Sequence, residues 1–428
     1  MPTIHFIDVT NRDGVQTARL GLAKLQKTMV NYYLSQMGVY QSEFGFPFLG
    51  NEHNYLKANL DLQRVGAFKS MRLGGWCRGL VQDVEEALPL GVRDFNLSIS
   101  TSDQMIAHKF MGRLDRSRVI AEMVEAVKAA RRGHADTVGV NAEDASRTDM
   151  SFLIDFALAG KEAGADRIRY CDTLGYDSPM TIYRRIHDLA ERTRMPVELH
   201  CHNDLGMAVA NSVAGAQGAL DAGVDAYINT TVNGIGERAG QADLVTTVLA
   251  LMYGNGLGDR YAMGDMIDLK LAWRLANYGA YAFEVPIPIN QPGIGANAFT
   301  HESGIHADGA LKDRHNYELY DYTTLGRVDE ECYRTGRVIL TGEYGGLAGF
   351  RHVYDRLGVQ FTSDESARQV LELVQYANAH TQRPLTDDEL RFIAHYPKQV
   401  KLILTVKPLD GQEPLPASES PAPVLAGV

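Results

Sequence analysis

Glu198-Leu199-His200-Cys201-His202-Asn203-Asp204 closes an apolar run and opens a glycine-containing helical stretch, Leu205 to Ala222. In an extended strand, residues two apart point the same way, so both imidazoles can reach one metal ion from a single strand end. A strand that ends in ligands and feeds a helix is what a parallel αβ barrel uses at its carboxyl-terminal mouth. An H-x-H pair by itself is as often incidental as functional, so the rest of the chain must decide.

The amino-terminal segment Asp8-Val9-Thr10-Asn11-Arg12-Asp13-Gly14 follows a strand-like run from Thr3 to Val9. An Arg beside an Asp is more often a solvated loop pair. At the mouth of a barrel, however, Asp13 would supply a hard oxygen ligand and Arg12 a fixed cation. Two neutral imidazoles and a carboxylate suit Mg²⁺, Mn²⁺, Zn²⁺ or Fe²⁺ and leave positions open for substrate.

Short β-rich runs begin near Ile4, Ser42, Phe68, Phe95, Thr137, Arg167, Val197 and Ala226. Helical patterns lie between them, among them Gly21 to Met37, Ser117 to Arg132 and Met150 to Ala163. Eight alternations point to an α/β fold of the (β/α)₈ TIM-barrel type. A doubly wound sheet is disfavoured because no G-x-G-x-x-G follows the first strand and polar clusters recur at nearly every strand end. The barrel is expected over residues 1–275. A linker with Pro286, Pro288 and Pro292 then leads into a smaller, mostly helical module over 276–407, with helices at Ser366 to Ala379 and Asp387 to His395. Residues 408–428, rich in Pro, Ala, Ser and Glu, read as a disordered tail.

Hydrophobic residues make up 45% of the 428 and charged residues 22%, ordinary for a soluble protein. No apolar run approaches the roughly 20 residues that cross a membrane. The N-terminus enters a strand pattern at once, so no signal peptide is expected. The net charge of −11 disfavours a nucleic-acid surface. The four cysteines lack C-x-x-C spacing, and Cys77, Cys171 and Cys201 fall in or beside expected strands, which suggests buried, reduced thiols in a cytoplasmic protein.

Seven ordered motifs, taken together, resemble a family. They are Asp8 to Gly14, Glu43-Phe44-Gly45-Phe46-Pro47, Glu143-Asp144-Ala145-Ser146-Arg147, Asp172-Thr173-Leu174-Gly175, His200 to Gly206, Asn233 to Gly240 and His301-Glu302-Ser303-Gly304-Ile305-His306. The chain resembles the acyltransferase branch of the metal-dependent TIM-barrel family that contains 2-isopropylmalate, homocitrate and (Re)-citrate synthases. The resemblance implies a Claisen-type condensation. Acetyl-CoA loses a methyl proton, the enolate attacks the ketone of a 2-oxo acid, and the thioester is hydrolysed to release CoA.

By the same resemblance, Asp13, His200 and His202 hold a divalent ion, with Mg²⁺ or Mn²⁺ ahead of Zn²⁺, and Gln241 stands where relatives carry an Asn near the metal. Arg12 would bond the ketone oxygen, Glu143 would lie at the acceptor site and Thr173 would bind the acceptor carboxylate. His306 and Tyr317 would move the methyl proton, reaching into the neighbouring subunit's site, which implies a homodimer. Glu237 and Arg238 read equally well as an ion pair steadying the loop after the last strand.

Departures from the family pattern bear on the acceptor. Asn11, Asn96 and Asn141 add hydrogen-bonding groups that would be costly beside an isopropyl group. Gly139 stands where relatives specific for 2-oxoglutarate carry an Arg. A small polar dicarboxylate such as oxaloacetate fits better, which makes the expected product citrate. Homocitrate formation from 2-oxoglutarate is the alternative, followed by 2-isopropylmalate or citramalate formation. A carbon–carbon lyase ranks lower, because the loop Asn233 to Gly240 carries no cysteine, and a scaffold that has lost its chemistry ranks below that. The segment after residue 360 is too short for a large regulatory domain, so feedback inhibition by an amino acid through such a domain is not expected.

Overall fold

The computed structural model describes residues 2–258, 260–328, 341 and 347–405. Eight parallel strands run in chain order: β1 (Thr3–Asp8), β2 (Gln41–Gly45), β3 (Arg72–Arg78), β4 (Asp94–Ser100), β5 (Thr137–Glu143), β6 (Arg167–Asp172), β7 (Val197–Cys201) and β8 (Ala226–Thr230). Each pairs with the next. The ring closes because Asp8 of β1 lies opposite Thr230 of β8 on one side and Ser42 of β2 on the other. The expected closed barrel is therefore the observed fold.

Two details differ from the sequence reading. β3 begins at Arg72, and Phe68 is a buried residue of the preceding loop, so its apolar character reflects burial rather than strand pairing. A two-residue strand, β9 (Ala262–Met263), pairs with the start of β1 below the point where β2 takes over. Two residues carry no periodicity that sequence inspection could detect.

Helix starts at the mouth are set by side-chain caps. Asp115, Asp149, Ser178 and Asp243 each accept a backbone N–H three residues on, capping Arg116–Arg132, Met150–Ala163, Pro179–Thr193 and Leu244–Tyr253. Glycine matters at two of the mouth loops. Gly175 has φ +59°, and a Cβ there would lie 2.8 Å from the His202 carbonyl oxygen, so only glycine lets the β6 loop approach β7 this closely. Gly240, at φ +87°, allows the tight turn in which Gln241 N–H donates to the Gly234 carbonyl at 3.0 Å.

The described residues form two compact units, one from residues 2–22, 30–46 and the described residues between 68 and 328, the other from 23–29, 47–67 and the described residues after 330. The second contains helices Leu347–Arg356, Asp364–Thr381, Asp387–His395 and Pro397–Leu404 together with the helix His53–Arg64 that follows β2. Within it, Asn54 donates to the Thr405 carbonyl at 2.7 Å and Gln399 to Asp61 at 2.6 Å. Two of its helices begin with reciprocal caps, Ser363 with Ser366 and Thr386 with Glu389, in keeping with the helices expected there. The expected tail at 408–428, Cys332 and the segment Gly342 to Gly346 lie outside the described residues.

The barrel interior is not the usual stack of branched apolar residues. On β6, Tyr170 turns out toward Asp177 and Arg185, whereas Arg167 and Arg169 turn in and meet Glu198 of β7. These charges are buried and compensate one another. Burial pushes the Glu198 carboxyl up, but the adjacent Arg169 and Arg167 outweigh it and hold the group at about 2. Burial likewise pushes Glu43 up, and Arg169 and Arg12 bring it below its ordinary value.

Asp8 behaves in the opposite way. It is fully buried, its Oδ1 accepts from Thr10 N–H at 2.9 Å, and Oδ2 has no partner among the described residues. Burial raises its pKa from 3.8 to about 7. The folded state thus favours the protonated form, so the stabilisation is complete below about pH 4 and is lost as pH rises through 7. Asp8→Asn is expected to abolish this loss. The wild-type Tm should fall by a few degrees more than that of the variant between about pH 5 and pH 9, as read by calorimetry.

Candidate active site

The strand ends bring Asp13, His200 and His202 together. One potential ligand atom from each lies within 4.8 Å of the others, and among the described residues this is the one such cluster of His, Cys, Asp or Glu. All three side chains are buried. Burial lowers the pKa of both imidazoles, and Arg12 lowers that of His200 further, so both are neutral and have a lone pair to give. His202 Nδ1 and Gln241 Oε1 are buried without a partner among the described residues. Orphaned ligand atoms beside a carboxylate are what a divalent ion would satisfy, so the donor set fits one. Gln241 is held next to His202 by a backbone bridge, and its Nε2 touches Asp13 Oδ2.

Arg12 lies beside this cluster. Its Nη1 donates to Asp13 Oδ1 at 2.9 Å, its Nε to Glu43 Oε2 at 2.7 Å, and its guanidinium carbon lies 5.8 Å from the centroid of the Trp76 ring. Nη2 has no described hydrogen bond. Arg12 and Asp13 are thus both buried and are not the solvated loop pair that such a sequence more often forms.

Glu143 ends β5 on the rung of Ser100, whose hydroxyl donates to it. Lys109 Nζ contacts both carboxylate oxygens, at 2.8 and 2.6 Å. This lysine was not anticipated, because nothing near it in sequence marks it as part of a site. Asn141 lies two rungs deeper on β5, fully buried, and neither end of its amide has a described partner. Thr173 Oγ1 accepts from Asp144 N–H at 2.9 Å. Arg238 bonds Asp204 at 2.9 Å and the Thr173 carbonyl, so it does steady the last loop, but through Asp204 rather than Glu237.

Asn96 does not belong to the mouth. It lies four residues before Ser100, about 13 Å down the strand at 3.3 Å per residue. Its Oδ1 accepts from Arg167 Nη2 at 2.8 Å. Its expected place in the acceptor pocket is therefore corrected to the barrel floor. Gly139 lies opposite Arg167 on the same rung, and a Cβ there would come within 2.8 Å of Asn96 Oδ1. The missing side chain makes room for the Arg167–Asn96 contact.

His306 lies on the helix Gly304–Lys312 and packs against Tyr317 with ring centroids 4.4 Å apart. Both are exposed. Their described ring contacts are with each other and, for Tyr317, with His301, and none joins them to the cluster around Asp13.

Sequence reading missed Glu43, Arg169, Glu198 and Asn229, which connect Arg12 to His200 inside the barrel. A signal was available in Arg167-Ile168-Arg169-Tyr170 and Val197-Glu198-Leu199, where charges alternate with apolar residues in strands that helices must cover. Charged residues at alternate positions of such a strand must face the barrel axis.

A parallel barrel whose mouth gathers a His-x-His pair and an aspartate beside a buried arginine defines a barrel enzyme with a donor set able to hold a divalent ion. Residues 3–277 match the family described as HMGL-like and residues 294–381 the homocitrate synthase post-HMGL domain-like family, and the chain belongs to the HMGL-like family. It is 55% identical over 412 residues to a citrate (Re)-synthase of Dehalococcoides mccartyi, covering 96% of this chain and 99% of the relative. It is 38% identical over 390 residues to 2-isopropylmalate synthase 2 of Caldanaerobacter subterraneus, covering 91% and 94%. The fold also matches the crystal structure of an HMG-CoA lyase from Bacillus subtilis, with a TM-score of 0.55 at 18% identity over 67% of this chain and 97% of the lyase.

Proposed function

We propose that the protein condenses acetyl-CoA with oxaloacetate and releases CoA, forming citrate as a (Re)-citrate synthase. The observation that carries this reading is the convergence of Asp13, His200 and His202 beside Arg12, in a chain 55% identical to a citrate (Re)-synthase. A divalent ion held by Asp13, His200 and His202, with Gln241 adjoining, would polarise the acceptor ketone. Arg12 presents its free Nη2 to the oxygen on which negative charge develops. Asn141 offers an unpaired amide and Lys109 an ammonium to the two carboxylates of a small acceptor, while Thr173 holds the loop that shapes the same mouth.

His306 and Tyr317 are the acid–base pair for the methyl proton. Their exposure, together with that of Ile305 (76%), Leu311 (89%) and Leu319 (69%), supports a homodimer in which this segment completes the partner's site. No described helix is long and apolar enough to cross a membrane.

The test is metal-dependent release of CoA thiol with oxaloacetate, 2-oxoglutarate, pyruvate and 2-oxoisovalerate assayed in parallel under Mg²⁺ and Mn²⁺. Preference for oxaloacetate is expected, and preference for another acceptor or no release at all would overturn the reading. Asn141→Ala is expected to raise KM for oxaloacetate about tenfold or more, the cost of one lost hydrogen bond to a charged group, and to leave KM for acetyl-CoA nearly unchanged. Equal rises in both constants would remove Asn141 from the acceptor site.

A further inference from the structure

The barrel interior holds a continuous polar chain between two parts of the site. Arg12 Nε donates to Glu43 Oε2 at 2.7 Å, and Arg169 Nη2 donates to the other oxygen of Glu43. Arg169 Nε donates to Glu198 Oε1 at 2.6 Å, and Arg167 Nε to Glu198 Oε2 at 2.6 Å. Asn229 Nδ2 donates to Glu198 Oε1 at 2.8 Å, and Asn229 Oδ1 lies 3.0 Å from His200 Nδ1. All of these side chains are buried, so water cannot substitute for a missing partner.

The chain is directional. An ionised Glu198 only accepts hydrogen bonds, so the amide of Asn229 must turn its NH₂ toward Glu198 and its oxygen toward His200. His200 Nδ1 must then carry the ring proton, which leaves the lone pair on Nε2.

We infer that Asn229, oriented by the Arg169–Glu198 pair, is a positioning residue that sets the tautomer of His200 for metal binding, while the same Arg169 steadies Arg12 through Glu43. Arg169 thus ties a metal ligand and the arginine at the reacting oxygen to one rigid support. This rests on the metal-centred reading above.

The experiment measures Mn²⁺ binding to metal-free full-length protein by isothermal titration calorimetry, with no substrate present, alongside Tm. Asn229→Leu fills similar space but offers no acceptor, and is expected to weaken Mn²⁺ binding about 10- to 100-fold. The conservative exchange Asn229→Asp leaves Glu198 with both arginines, and the introduced carboxyl, as the neutral acid, donates its O–H to Glu198 while its carbonyl oxygen faces His200. It restores an acceptor to His200 Nδ1 and is expected to bring affinity back to within about threefold of wild type. A purely structural role would lower Tm in both variants without this recovery. Wild-type affinity in a folded Asn229→Leu protein, or a folded exchange variant no better than Asn229→Leu, would overturn the inference while leaving the metal site intact. A wild-type protein that takes up no Mn²⁺ would instead overturn the functional reading.

Discussion

His202→Ala is expected to lower metal-dependent CoA release by about 10³-fold or more, since polarisation by a bound ion contributes several kcal/mol and each 1.4 kcal/mol is tenfold. His202 is the most informative of the three ligands to remove. Its Nδ1 has no described partner, so its loss breaks no hydrogen bond within the barrel, whereas His200 is joined to Asn229. The ring is neutral because burial depresses its pKa, and no buried charge is left uncompensated when it goes. Tm should therefore fall only modestly while Mn²⁺ binding, read by calorimetry, falls beyond detection. Retention of both rate and Mn²⁺ affinity would sink the metal assignment.

Arg12→Lys is expected to reduce kcat by about 10²- to 10³-fold, in the range lost when one donor to a developing oxyanion is removed. Lysine keeps the charge, but its compact ammonium cannot bond Glu43, bond Asp13 and lie against Trp76 while presenting a further N–H to substrate. Glu43 remains compensated by Arg169, so the fold should persist. Metal affinity should change by only a few fold, because Asp13, His200 and His202 are untouched. Steady-state kinetics together with Mn²⁺ titration separate this outcome from loss of the metal site. A kcat within a few fold of wild type would show that Arg12 serves structure rather than the reacting oxygen.

The parts of this site that could be read from sequence are those whose chemistry depends on local geometry. His200 and His202 share a strand end because alternate residues of a strand share a face, and Arg12 with Asp13 follows directly on another strand. Asn96 was misplaced because composition says that an amide faces the interior but not at which depth. Depth depends on how far along β4 the mouth begins, and that is set by pairing with β3 and β5. Lys109 could not be found at all, because only the helix Asp103–His108 and the loop beyond it carry the ammonium to Glu143.

The alternation of eight apolar runs with helical patterns, together with the motifs at their ends, determined the barrel and its mouth from sequence alone, and set Asp13, His200 and His202 at that mouth as candidate ligands. These features come from periodicity and from residues close together in the chain. The tertiary structure alone decided how the buried charges are satisfied. Arg169 on β6 meets Glu43 on β2, 126 positions away, and Glu198 on β7, and through Asn229 on β8 the chain reaches His200. Such pairings exist only because the barrel closes, bringing strands that are distant in sequence around one water-poor axis where every charge must find its partner.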